Sequence, residues 1–209
     1  MPNTKSAIRR VRRVKKQTSV NRLRKDRFKS IVREINDLIK SNDSILVGMS
    51  GGPDSSLLLL ALAHLRKDLG FSLVVAHYNH NLRGKTTAED DISYVTKTAN
   101  SLNVPFTIGS GNVTDFSRVN RVSIETAGRQ LRYSFLAREA AEIGANIVAV
   151  GHTLSDQAET VMMHIIRGSG LQGLSGMQPR SSWPHGEGPI LIRPLLNISR
   201  KSVLDYCKE

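Results

Sequence analysis

A chain of 209 residues is long enough for one sizeable α/β domain with an appendage, and 39 % hydrophobic with 23 % charged residues excludes a disordered polymer. No apolar run reaches the ~18 residues of a bilayer span, and a lone cysteine, Cys207, excludes an internal disulfide and a cysteine-based metal cluster, so a soluble protein of a reducing, cytoplasmic compartment is expected. The net charge of +12 lies wholly in residues 1–33, which hold thirteen Lys or Arg against Asp26, whereas residues 34–209 hold seventeen of each sign.

Such a basic block binds polyanions by releasing their counterions, so a non-specific RNA contact is expected of residues 1–33. It lacks the apolar centre of a signal peptide, and its charge density is too high for an organelle transit peptide. Residues 1–17 are expected to be disordered when free. From Phe28 the apolar residues Phe28, Ile31, Val32, Ile35, Leu38 and Ile39 recur at spacings of three and four, which predicts an amphipathic helix docked on the domain C-terminal to it. Residues 1–40 are therefore set apart from a domain spanning 41–209.

Ile45 to Met49 reads as a buried strand, Ser50-Gly51-Gly52-Pro53-Asp54-Ser55 as a tight turn, and Ser56–Leu65 as the start of a helix. Adjacent glycines let the backbone approach a ligand, and the helix N-terminus behind them offers unpaired N–H groups to an anion. No Lys follows the glycines, so this is not the Gly-x-x-x-x-Gly-Lys-Ser/Thr phosphate loop. Further on, strands are predicted at 71–77, 104–108, 146–150 and 190–192. Helices are predicted at 88–102, 123–143 with Ser123 as cap, 155–167 with Ser155 as cap, and 199–208. The alternation predicts an α/β fold with a doubly wound parallel sheet, whose ligand sits at the carboxyl ends of the strands.

Three constellations fall at those ends. His77-Tyr78-Asn79-His80-Asn81-Leu82-Arg83-Gly84 reads as a polar loop beside a nucleotide, with Arg83 reaching a phosphate, or as plain surface; metal binding by His77 and His80 is disfavoured because no third ligand is near. Glu125, Arg129 and Arg132 share one helical face, as an exposed ion pair or as an arginine pair aimed at phosphate or RNA. Asp156 and Glu159 occupy a helix's first turn, either to hold Mg²⁺ and polarise an attacking group or because acids favour helix N-termini. Gly168 to Gly173 matches Gly-x-Gly-x-x-Gly, but it follows a helix rather than a strand, so a dinucleotide site is excluded.

The hexapeptide Ser50–Ser55 resembles the pyrophosphate loop of the PP-loop ATP pyrophosphatases. Together with His77–Gly84, Ile124–Tyr133, Gly151-His152, Asp156–Thr160, Arg167–Leu171, Gly176-Met177 and Arg193–Leu196, it resembles the bacterial tRNA(Ile)-lysidine synthetase family from about Ser44 onward. The resemblance implies ATP and Mg²⁺ as cofactors and two further substrates, free lysine and an isoleucine tRNA with a CAU anticodon. In that family the wobble cytidine's carbonyl oxygen attacks the α-phosphate, pyrophosphate leaves, and lysine's ε-amine then displaces AMP. By the same resemblance Ser50, Gly51, Gly52, Pro53, Asp54 and Ser55 hold the phosphates, with Asp54 also the metal ligand. Arg129, Arg132 and Glu159 line the reacting centre with Asp54, and His77, His152 and Asp156 sit beside the nucleotide. Members are often homodimers. Two departures stand out: Ser155 replaces one of two adjacent acids, and an arginine-rich segment and a tRNA-binding domain found later in the family's chains are absent up to Glu209, as in a fragment or a truncated gene. The opening Met1-Pro2-Asn3-Thr4-Lys5-Ser6-Ala7, with its arginine pairs and Asn21-Arg22, resembles the start of bacterial ribosomal protein S-twenty. The alternatives are another PP-loop tRNA-modifying enzyme of the thiolase type, which generally needs several cysteines, and a non-catalytic RNA-binding remnant.

Overall fold

The computed structural model describes residues 28–81, 85–170, 174–184 and 186–207, with side chains 85–87 excepted. The basic arm before Phe28, Arg83 with its neighbours Leu82 and Gly84, and part of the glycine run after Gly170 lie outside the described residues.

Residues 28–38 form helix α1, on the spacing the sequence predicts; Ile31, Ile35, Leu38 and Ile39 are all buried in the main core. Along the chain α1 is succeeded by β1 (Ser44–Gly48), α2 (Pro53–Leu69), β2 (Ser72–Asn79), α3 (Lys85–Ser101), β3 (Phe106–Ser110) and α4 (Val113–Asn120). After them come α5 (Ile124–Ile143), β4 (Ile147–Val150), α6 (Leu154–Ile166), β5 (Arg180–Ser181), β6 (Ile190–Ile192) and α7 (Arg200–Cys207). The six strands lie in the order β3-β2-β1-β4-β6-β5, parallel throughout except where β5 pairs antiparallel with β6. The α/β parallel-sheet expectation holds.

Both faces of the sheet are covered, which is why its central strands are unbroken apolar runs rather than alternating ones. Along β1, Ile45 and Val47 face α1, α2 and α3, while Leu46 faces Tyr133, Leu136 and Ala140 of α5. The chain order reverses beside β1: β2 lies on one side and β4 on the other. The crevice above β1 and β4 is thus a topological switch point, the place where open parallel sheets bind ligands.

Three local expectations change. The cap of α6 is Thr153 rather than Ser155, because Asp156 accepts from the Thr153 N–H (2.7 Å) and hydroxyl (2.9 Å) and so fixes the helix start one residue earlier. Helix α4 falls where none was predicted. It is only eight residues long with a single buried side chain, Val113, and it is set by Asn112, which accepts from the Asp115 N–H at 3.1 Å. Strand β5 is a two-residue edge, too short to leave a periodic signal. Ser123 caps α5 as predicted, accepting from the Thr126 N–H at 3.1 Å.

Candidate active site

The turn after β1 is built from its own short side chains. Ser55 Oγ donates to the Gly52 carbonyl (3.0 Å) and accepts from the Ser50 N–H (3.2 Å), and Ser56 Oγ donates to the same carbonyl (2.9 Å). Gly51 has φ of +84°, a left-handed conformation that favours glycine. Gly52 is the N-cap of α2 and supplies no side chain, and Pro53 takes the first helical position. Helix α2 therefore opens without a side-chain cap, and its first-turn N–H groups and positive dipole end face the cleft. A cleft of about 400 Å³ lies over this turn. Its lining takes Ser50, Gly52, Asp54 and Ser55 from the turn, His77 to Asn81 from the end of β2, Asp91 from α3 and Arg132 from α5. Gly151, His152 and Asp156 complete it from the end of β4 and the start of α6.

Gly151 explains how the β4 end comes so close. A Cβ there would stand 3.1 Å from both the Asp54 carbonyl carbon and the Ser55 nitrogen, so a larger residue would force the two backbone segments apart by a few tenths of an ångström. His77 is buried, with Nδ1 2.8 Å from the Met49 carbonyl, and so braces the turn as well as lining the cleft. Asp54 keeps one carboxylate oxygen 4.0 Å from Arg200 Nε, while Oδ1 is buried with no hydrogen-bond partner. Arg132 lines the cleft; Arg129 lies beside it, exposed, and both guanidiniums sit over the Tyr133 ring, 5.7 Å (Arg129) and 5.5 Å (Arg132) from its centroid. Among the described residues no ion pair joins Glu125 to Arg129, so this face is not the surface salt bridge that its spacing allowed. Glu159 is exposed on α6 and outside the cleft lining.

The PP-loop domain family matches residues 20–209. The chain belongs to the PP-loop family. A tRNA(Ile)-lysidine synthase of Dehalococcoides mccartyi is 43 % identical over 174 residues, 82 % of this chain and 37 % of that protein. One from Clostridioides difficile is 39 % identical over 183 residues, 87 % of this chain and 38 % of that protein. The chain thus spans under two fifths of the length of these relatives. Among solved structures, the U34-tRNA thiolase NcsA from Methanococcus maripaludis with its 4Fe-4S cluster superposes with a TM-score of 0.74 at 23 % identity, covering 90 % of this chain and 64 % of that one. That likeness is one of fold.

A PP-loop domain implies ATP, and the residues fit a nucleotide with its metal. Mg²⁺ keeps most of its waters and is bound through one or two carboxylates plus substrate phosphates. The unpartnered Asp54 Oδ1 beside the Ser50–Ser55 turn would suit that role; burial, the largest influence on it, raises this carboxyl above the ordinary range. Asp156 is already committed to capping α6, so the cap reading of this acid holds while it also lines the cleft.

The PP-loop sequence motif does not point to Tyr133, Arg193 or Arg200. Arg193 is buried (6 % exposed) at the carboxyl end of β6. The signal was present in the sequence: one charged residue inside the apolar run Ile190–Leu196, directly after a strand. Burial and then the charges of Arg132 and Arg193 push His152 down to about 4, so its ring is neutral at pH 7, with Nδ1 buried and unpartnered. Between about pH 6.5 and 4 the unfolded chain takes up a proton at this residue that the folded chain refuses. His152 therefore makes stability fall as pH falls through that window, by up to roughly 3 kcal/mol. Asp54, raised by burial, has the opposite slope just above pH 3.8, so the difference from a variant is what isolates the histidine. Urea unfolding midpoints measured from pH 7 to 4 are expected to drop more steeply for the wild type than for His152→Gln; parallel curves would contradict this account of His152.

Proposed function

We propose that this domain is the ATP-pyrophosphatase part of a tRNA(Ile)-lysidine synthase. It would activate the wobble cytidine of an isoleucine tRNA with a CAU anticodon and pass it to free lysine. The observation that carries the reading is the assembly around one cleft of an uncapped helix N-terminus, Asp54, Arg132 and a neutral His152, in a chain 43 % identical to a protein of that name.

In the first step the cytidine carbonyl oxygen forms a bond to the α-phosphorus of ATP, and the bond from that phosphorus to the bridging oxygen breaks, releasing pyrophosphate. Charge grows on the leaving group and on the equatorial oxygens, so fixed donors and cations at those positions lower the barrier. The N–H groups of the Ser50–Ser55 turn take the pyrophosphate. Asp54 would be the residue to hold a Mg²⁺ ion, which would supply positive charge to the phosphates. Arg132, with Arg129 beside it, faces the α-phosphate. Being neutral, His152 meets the nucleotide as a hydrogen-bonding ring rather than as a further cation, and His77 and Asp156 frame the same pocket. In the second step the lysine ε-nitrogen attacks the activated ring carbon and AMP departs. Glu159, which the family resemblance places at the reacting centre, stands exposed on α6 outside the cleft lining and is assigned no step. The basic N-terminal segment adds a sequence-independent contact to the tRNA backbone.

A sulfur-transfer reading rests on the fold likeness alone, and this 209-residue sequence holds one cysteine, Cys207, which is exposed. Incubated with Mg-ATP, labelled lysine and the CAU isoleucine tRNA, the wild-type chain is expected to put label into the tRNA. Asp54→Ala is expected to lose at least about 100-fold in rate; label that appears equally with both, or with neither, counts against the reading. Deleting residues 1–27 is expected to weaken tRNA binding and to flatten the dependence of log affinity on log salt. Unchanged affinity and slope would remove that segment from the interface.

A further inference from the structure

Helix α6 is apolar and yet stands outside both cores. Of its thirteen residues seven are Leu, Ala, Val, Met or Ile, and none is buried, which is true of no other described helix. The exposed side chains are not scattered. At the helical step of about 100° per residue, Leu154, Met162, Ile165 and Ile166 fall within one arc of roughly 120°. They are 48, 62, 56 and 76 % exposed. Asp156, Gln157 and Thr160 lie on the opposite side. There Gln157 donates to the Met177 carbonyl (3.0 Å) and accepts from the Met177 N–H (2.7 Å), and at the helix start the Leu154 N–H donates to the Ile198 carbonyl (3.0 Å). The helix is thus held at its start and along its polar side, with its apolar side turned outward.

An amphipathic helix normally turns its apolar stripe to a core, and monomers rarely leave a larger contiguous apolar patch uncovered. Half the surface of a helix ~20 Å long offers on the order of 400 Å². Two such faces together bury roughly 800 Å², at the low end of specific interfaces, which suits a reversible contact rather than an obligate one. Methionine at the centre lets such a face adapt to its partner. Charge selects the occupant. Glu159, Met163 and Arg167 follow one another at four-residue steps along one border of the apolar arc. Glu159 and Arg167 are both exposed, and neither forms an ion pair among the described residues. An acid toward the start and a base at the end make this face complementary to itself when two copies run antiparallel. A two-fold axis beside Met163 then sets Glu159 of each copy against Arg167 of the other and opposes the two helix dipoles. An RNA backbone suits the face poorly, because the face is apolar and Glu159 on its border is negative. We propose that α6 is the contact between two copies of this chain, packed antiparallel with their apolar faces together and Glu159 paired with Arg167 at both borders. Asp156 in the first turn of the same helix lines the cleft, so the second copy stands beside the site. The proposal is independent of the function proposed above.

Sedimentation velocity of the full chain from ~1 to ~100 µM, the range of a weak contact, tests it. The wild-type mass is expected to move from one chain toward two across that range. Met162→Glu and Ile166→Glu, each at an exposed position, are expected to weaken self-association at least about 10-fold, because each places a charge in the centre of the contact. Glu159→Arg and Arg167→Glu, made singly, put like charges together twice in the dimer and are expected to weaken it about 10-fold; combined in one chain, they are expected to restore it to within about 3-fold of wild type. Circular dichroism shows which variants fold, and the charge pair decides should an apolar variant fail. A wild type that stays monomeric would overturn the proposal and leave the face to another occupant. So would a dimer indifferent to Met162→Glu and Ile166→Glu, which joins elsewhere, and so would a double charge variant no better than the singles, which rules out the antiparallel pairing.

Discussion

The open N-terminus of α2 is the feature on which the rest of the site depends. A helix start leaves backbone N–H groups without intrahelical partners, and natural helices usually meet that need with a Ser, Thr, Asp or Asn cap. Here the cap position is Gly52, and the serine side chains of the turn bond to one another and to the Gly52 carbonyl. The first-turn donors therefore remain for a ligand, and their dipole sets the sign of that ligand as negative. The parallel sheet brings this end to the switch point above β1 and β4, and Gly151 lets the neighbouring strand end close on it without a clash.

The second constraint is a balance of buried charge. Asp54, Arg132 and Arg193 are each buried enough to be pushed toward their neutral forms, Asp54 upward and the two arginines downward. Asp54 and Arg132 line one cleft, and the Asp54 Oδ1 lacks a partner. On the proposed reading, a polyphosphate with its divalent cation would complement both at once, with anionic oxygens for Arg132 and the α2 N–H groups and a cation for Asp54. His152 is the necessary exception, because a third cation beside the arginines would cost more than a neutral ring, and it stays neutral down to about pH 4. The site is thus pre-arranged for a charge pattern rather than for a shape alone, which is the condition for stabilising charge that develops during phosphoryl transfer.

Much of this was legible in the residues, for identifiable reasons. The apolar run of β1, the glycine turn and the apolar start of α2 placed the phosphate turn, because their periodicities differ and their boundary is glycine. The 3-4 spacing of α1 foretold that Ile31, Ile35 and Leu38 would be buried. The face shared by Arg129 and Arg132 was legible too, but its direction was not: helical spacing says which residues lie together and leaves open whether they meet solvent or a cleft. Asp156 showed the same ambiguity, and it proves to be both cap and cleft wall. Arg193 was named within the resemblance, but its burial was the least legible feature, since its partners at Gln178 and Ser181 lie on a segment 12 to 15 residues earlier that no periodicity ties to the end of β6.

The central claim is that the Ser50–Ser55 turn is a pyrophosphate cradle. A crystal structure of the chain with Mg²⁺ and α,β-methylene-ATP, which cannot release pyrophosphate, tests it most directly. The account predicts the β- and γ-phosphates against the backbone N–H groups of the turn, the cation on Asp54 and Arg132 turned toward the α-phosphate. A nucleotide bound with its phosphates elsewhere, while the turn and Asp54 remain untouched at saturating ligand, would contradict it.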